Sequence, residues 1–142
     1  MKVKFVKDHE NAQLPTYGTA GAAGADIYSV HEYAIAPGGH ALVDTGLKCN
    51  IPEGFELQVR PRSGLALKNK ITVLNSPGTI DSDYTGKLGV ILMNHSDTIF
   101  TVKPGDRIAQ IVVAPVVQAK FEWAEETKDT ERGSGGFGST GV

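Results

Sequence analysis

Short apolar segments separated by turn residues recur along this chain, and that pattern predicts strands. Residues 55–60 alternate apolar and polar, as a strand with one buried face does. Residues 88–93 and 108–113 are nearly continuous apolar runs, which predicts strands covered on both faces. Residues 3–6, 25–30 and 41–51 carry weaker forms of the signal. Turn residues cluster at Pro37-Gly38-Gly39, Pro52-Glu53-Gly54, Ser76-Pro77-Gly78 and Pro104-Gly105-Asp106. Long amphipathic helices are absent; the best short one spans residues 63–70, with Ser63 as its N-cap before Leu65, Ala66, Leu67 and Lys68. Many closely spaced strands predict an all-β sandwich, barrel or jelly roll, and the pattern alone does not choose among them. Residues 122–131 are charged, lack a core pattern and read as a linker. Residues 132–142 are glycine-rich and too poor in apolar groups to fold alone.

Composition narrows this picture. A chain of 142 residues suits one domain, and at that size folding buries roughly 68% of the unfolded surface. The 14 basic and 16 acidic residues leave a net charge of −2, without the basic excess of a general nucleic-acid or membrane-surface binder. Cys49 is the single cysteine, so intrachain disulfides and a four-cysteine metal site are excluded. His9, His31, His40 and His95 show no metal-ligand spacing and read as surface or turn residues. No apolar run is long enough for a signal peptide or a spanning helix. The expected setting is cytoplasmic, that of an intracellular soluble protein, and a nuclear or virus-encoded protein would look the same.

Several segments carry candidate chemistry. Arg62, Ser63 and Gly64 set a fixed charge, a hydroxyl and a close-approach glycine at the predicted helix start, where free N–H groups and the helix dipole favour an anion. Residues 75–86 form a polar, acidic, turn-rich stretch in which Asp81 is a candidate general base and Asp83 an equal candidate for a turn residue. Asp106 and Arg107 open an apolar strand with an ion-pair candidate, and a small-residue loop ends in Asp26. In the tail, Arg132 offers a planar charge suited to phosphate, Phe137 a stacking face, and the glycines a backbone that can approach an anion. A disordered end is the competing reading of that composition. It is not a Walker A loop, since no Gly-Lys-Ser/Thr follows.

Five of these segments, in order, resemble the five motifs of the trimeric dUTP diphosphatases: AGADIYS at 23–29, PRSGLAL at 61–67, GTIDSDYTGKLGVILMN at 78–94, GDRIAQIVV at 105–113 and RGSGGFGSTG at 132–141. The resemblance implies a jelly-roll-like β-barrel over residues 1–121 with one short helix, a linker over 122–131, and a flexible C-terminal arm over 132–142 that closes over an active site. It implies hydrolysis of dUTP to dUMP and pyrophosphate, which limits uracil in DNA and supplies dUMP for dTMP synthesis. Asp81 matches the base that activates water for attack on the α-phosphorus. Asp26 matches a carboxylate that acts on Mg²⁺ through water, the metal being held mainly by substrate phosphates. Arg62, Ser63, Gly64 and Gln110 match phosphate-contacting positions. Asn75, Thr79, Ile80, Tyr84 and Gly89 match the pocket for uracil and deoxyribose, where a hairpin's backbone reads the base and the tyrosine ring lies under the sugar. Arg132, Phe137 and Gly138 match the tail contacts, with Phe137 stacking on uracil. A homotrimer with sites between subunits is also implied, with dUTP as partner and neither nucleic acid nor membrane.

Three alternatives stand beside this reading. A dCTP deaminase would need a glutamate in the base site, and residues 80–89 contain none. A nucleotide-switched regulatory protein would share the motifs. A capsid-type jelly roll gives no reason for Asp81, Tyr84 and Arg132 to occur together.

Overall fold

The computed structural model describes residues 1–142. Eleven strands and one helix follow in the order β1 (Lys4–Lys7), β2 (Thr16–Tyr17), β3 (Ala25–Tyr28), β4 (Tyr33–Ile35), β5 (His40–Asn50), β6 (Phe55–Arg60), α1 (Ser63–Asn69), β7 (Ile71–Val73), β8 (Gly78–Ile80), β9 (Leu88–Asn94), β10 (Phe100–Val102) and β11 (Arg107–Pro115). They form a four-stranded sheet, β1-β5-β9-β7, a five-stranded sheet, β2-β3-β11-β6-β8, and a small β10-β4 pair. Every pairing is antiparallel, and most join strands distant in sequence. The result is the jelly-roll-like all-β architecture with one short helix.

The core lies between the two large sheets. Leu57 and Val59 of β6, Val43 and Leu47 of β5, and Val90 and Leu92 of β9 all point into it. Cys49 is buried there, and burial pushes its thiol up, keeping it neutral and unreactive. The turns at Gly54 and Gly105 need left-handed backbone, with φ of 85° and 87°, which glycine adopts without strain. No helix is long and apolar enough to cross a membrane.

Some expectations need correction. β9 alternates buried and half-buried residues, and β11 keeps Val112 and Val113 half-buried, so neither strand is covered on both faces within one chain. The physical reason is that α1, the single helix, lies beside β7 and leaves the outer faces bare. Ser63 is the first helical residue rather than the cap; Arg62 is the N-cap, in extended backbone and without a side-chain bond to the helix. Gly78, expected in a turn, is buried in β8. β8 pairs with β6 while β9 pairs with β5 and β7, so residues 78–94 are divided between the two large sheets. Residues 81–87 cross between sheets, as the burial of Ile80 in one and Leu88 in the other requires.

Candidate active site

That crossing leaves an opening between the sheets. A cavity of about 420 Å³ is lined by Asn75, Thr79, Ile80, Asp81 and Tyr84 on one side and by Gly89, Leu42 and Asp44 on the other. All five of the residues matched to the nucleoside pocket are therefore brought together, along with Asp81. Thr79 is held by β8, whose register sets Gln58 opposite Thr79 and Leu57 opposite Ile80. A turn follows, in which the Tyr84 amide donates to the Asp81 carbonyl at 3.1 Å. The Tyr84 hydroxyl donates to the Lys87 carbonyl at 2.8 Å and fixes the ring at the cavity mouth.

Asp81 directly follows β8, is exposed and makes no ion pair. It also borders a second cleft of about 830 Å³, where Glu53, Glu56 and Asp83 lie. Anionic phosphates would be repelled from that side. The first cavity has one cation, Lys87, and its amine already lies 3.6 Å from Asp8 and 4.0 Å from Asp44.

The phosphate-matched residues are elsewhere, around β3, β11 and the start of α1. Asp26 Oδ1 lies 3.3 Å from Arg62 Nε, and its Oδ2 lies 3.6 Å from Arg107 Nη1. Arg62 also donates to the Arg107 carbonyl at 3.4 Å. Gln110, opposite Asp26 in the β3–β11 ladder, donates from Nε2 to the Pro61 carbonyl at 3.2 Å. Ser63 and Gly64 are exposed at the helix start. Arg107 thus pairs with Asp26 rather than with its neighbour Asp106, whose carboxylate accepts the Lys103 amide and closes the turn. None of these residues lines the cavity that Asp81 borders.

The tail forms a third group. Arg132 Nε donates to the Gly135 carbonyl at 2.8 Å, and further bonds from Gly133 to Gly141 are likewise local. Phe137 is fully exposed at φ 51°, with Gly138 at φ 82° beside it. No side chain of the two other groups touches the tail by hydrogen bond or ion pair.

The sequence model of the dUTPase family matches residues 10–141. The chain belongs to the dUTPase family. The deoxyuridine 5'-triphosphate nucleotidohydrolase of Picosynechococcus sp. is 55% identical over 142 residues, covering 100% of both chains. Among solved structures, the Staphylococcus bacteriophage 80alpha dUTPase with dUPNHPP is similar at a TM-score of 0.91 and 27% identity, covering 99% of each chain. A variant dUTPase of phage phi11 of S. aureus, described for its coordination of a structural Mg(II) ion, has a TM-score of 0.79 and 26% identity, covering 89% of this chain and 98% of its own. As a dUTPase, the chain is a nucleotide-hydrolysing enzyme of dUTP.

Sequence reasoning missed the roles of three residues of this dUTPase: Asp44 and Lys87 received none, and Arg107 was read only as an ion-pair candidate beside Asp106. Arg107 reaches Asp26 across the β3–β11 ladder, and Asp44 and Lys87 complete the cavity wall. Their roles depend on pairings between distant strands, which no local motif encodes.

Proposed function

We propose that Asp81 accepts a proton from a water that attacks the α-phosphorus of dUTP. The new oxygen–phosphorus bond forms as the bond to the α–β bridging oxygen breaks, and the products are dUMP and pyrophosphate. The observation that carries this reading is the unpaired Asp81 carboxylate at the rim of a cavity that also holds Asn75, Thr79, Ile80, Tyr84 and Gly89. Uracil and deoxyribose occupy that cavity, with the Tyr84 ring under the sugar, where a 2′-hydroxyl would clash. Arg62, Ser63, Gly64 and Gln110 bind the phosphates.

Separation of the groups within one chain supports a homotrimer with shared sites. A triphosphate reaching Asp81 meets one preoccupied lysine and an acidic cleft, so its charge must be met by another copy's Arg62 and by Arg132, Phe137 and Gly138 of a tail. The half-bare outer faces of β9 and β11 would gain cover from the same assembly.

Mg²⁺ fits this donor set in one form. Asp26 is a single carboxylate between two arginines, and no cluster of three metal-binding side chains exists. Such a site suits an ion held mainly by substrate phosphates and water, with Asp26 acting through water. When bound, the metal would neutralise charge on the phosphate oxygens. Asp26 itself holds Arg62 and Arg107 in place for the phosphates. Positioning and charge stabilisation carry most of the rate, and the Asp81 base contributes typically ~10²–10⁴-fold. In the cell the reaction would limit uracil in DNA and supply dUMP for dTMP synthesis.

The test is Asp81→Asn, which keeps size and removes the base. It should lower kcat at least ~100-fold while dUTP still binds. Near-normal turnover would remove Asp81 from this role.

A further inference from the structure

Asp44 and Lys87 of the nucleoside cavity wall belong to a charged clasp that the proposed chemistry does not use. Lys87 lies between two carboxylates, Asp8 Oδ2 at 3.6 Å and Asp44 Oδ2 at 4.0 Å. Asp8 is also 3.6 Å from Lys48, and Asp44 is 4.0 Å from His31 Nε2. The two aspartates are about three-quarters buried, their side chains being 27% and 23% exposed. Asp44 is fixed further: its Oδ1 accepts the Gly46 amide at 2.8 Å, and its own amide donates to the Tyr33 hydroxyl at 2.9 Å. It faces Gly89 across the β5–β9 ladder, beside the irregularity between Asp44 and Leu47. The anions that hold Lys87 are therefore prearranged by the sheet.

What Lys87 holds in turn is Tyr84. The tyrosine hydroxyl donates to the Lys87 carbonyl, so the ring's place depends on the backbone of residue 87. Gly86 makes the fold-back possible: a Cβ there would come within 2.5 Å of the hydroxyl and 2.7 Å of Cζ. The ring has no comparable support from above, being 46% exposed. Steric rejection of a small group depends on how narrowly the rejecting ring is held, because a looser ring yields to a clash.

We infer that Lys87 is a positioning residue that sets selectivity for the deoxy sugar, holding the Tyr84 ring through its own carbonyl while Asp8 and Asp44 clamp its side chain. The inference rests on the reading of Tyr84 as the ring under the sugar. Burial of Leu88 and Val90 keeps β9 in place without the clasp, so its removal loosens the turn and not the fold.

The experiment compares kcat/KM for dUTP and UTP in the full-length enzyme. Exposed ion pairs are individually weak, and two of them acting on one lysine predict a drop of about three- to tenfold in the dUTP/UTP ratio for Lys87→Met. Lys87→Arg should restore most of the ratio. Asp8→Asn changes a residue outside the cavity wall and should move the ratio in the same direction. Raising salt from about 0.05 to about 0.5 M should erode the selectivity of the unaltered enzyme and leave Lys87→Met nearly flat. Screening of the phosphate contacts is common to both substrates and cancels in the ratio, whereas screening of the clasp does not. Unchanged selectivity in both Lys87→Met and Asp8→Asn, beside a Tyr84→Ala variant that loses it, overturns the role of Lys87 and leaves the sugar reading intact. Unchanged selectivity in Tyr84→Ala overturns both.

Discussion

Gly24→Ala tests whether the segment proposed to bind the phosphates is held from beneath by packing. A Cβ at residue 24 would lie 2.3 Å from Gln110 Oε1, 2.8 Å from its Cδ and 3.2 Å from its Cβ. Swinging the amide away relieves the first two contacts, but the third needs the strands themselves to give by a few tenths of an ångström. Once Gln110 swings, its 3.2 Å bond to the Pro61 carbonyl is lost, and Arg62 and Ser63 follow directly in the chain. One such hydrogen bond contributes about 0.5–1.5 kcal/mol, so the melting temperature should fall by only about 2–4 °C. Activity should suffer more, since misplacing a binding group by about 1 Å can cost about 100-fold. The assay is kcat/KM for dUTP beside thermal melting, repeated in a Gln110→Ala background that removes the two closest contacts. There, adding Gly24→Ala should cost much less than it does alone. Full activity in Gly24→Ala, or equal losses in both backgrounds, would refute the reasoning.

Two other changes probe different levels of the structure. Ending the chain after Glu131 removes Arg132, Phe137 and Gly138; the protein should stay folded and oligomeric with weak activity, and unfolding by circular dichroism would mean the tail is structural. Asn94→Ala should cost about 3 kcal/mol in denaturant unfolding, because Asn94 is fully buried, donates to the Ile35 and Thr98 carbonyls, and accepts from Ser96; a loss below about 1 kcal/mol would show that water replaces those bonds.

The strands of four or more residues were legible in the sequence. Residues 55–60 fold as read, the strand at 41–51 is displaced by one residue, and the helix at 63–70 ends one residue early because Lys70 takes a left-handed C-cap at φ 56°. The strand at 25–30 ends at Tyr28, because the Ser29 side chain bonds locally to His31 and the Ser29 carbonyl takes the Gly105 amide. The short strands β2, β4, β7, β8 and β10 were not legible: two or three residues hold no period, and partners such as Phe100 and Ile35 are far apart in the chain. The same division runs through the site. Motif residues announced themselves by type and order, and five of them meet around the Asp81 cavity. The Arg107–Asp26 pair and the Asp8–Lys87–Asp44 clasp arise only when distant strands are set in register.

The central claim, attack by water at the α-phosphorus of dUTP, is tested most directly by turnover in oxygen-18 water with mass analysis of both products. The account predicts label in dUMP and none in pyrophosphate, with dUTP turned over in preference to UTP and dCTP. Label in pyrophosphate, or release of orthophosphate, would contradict it.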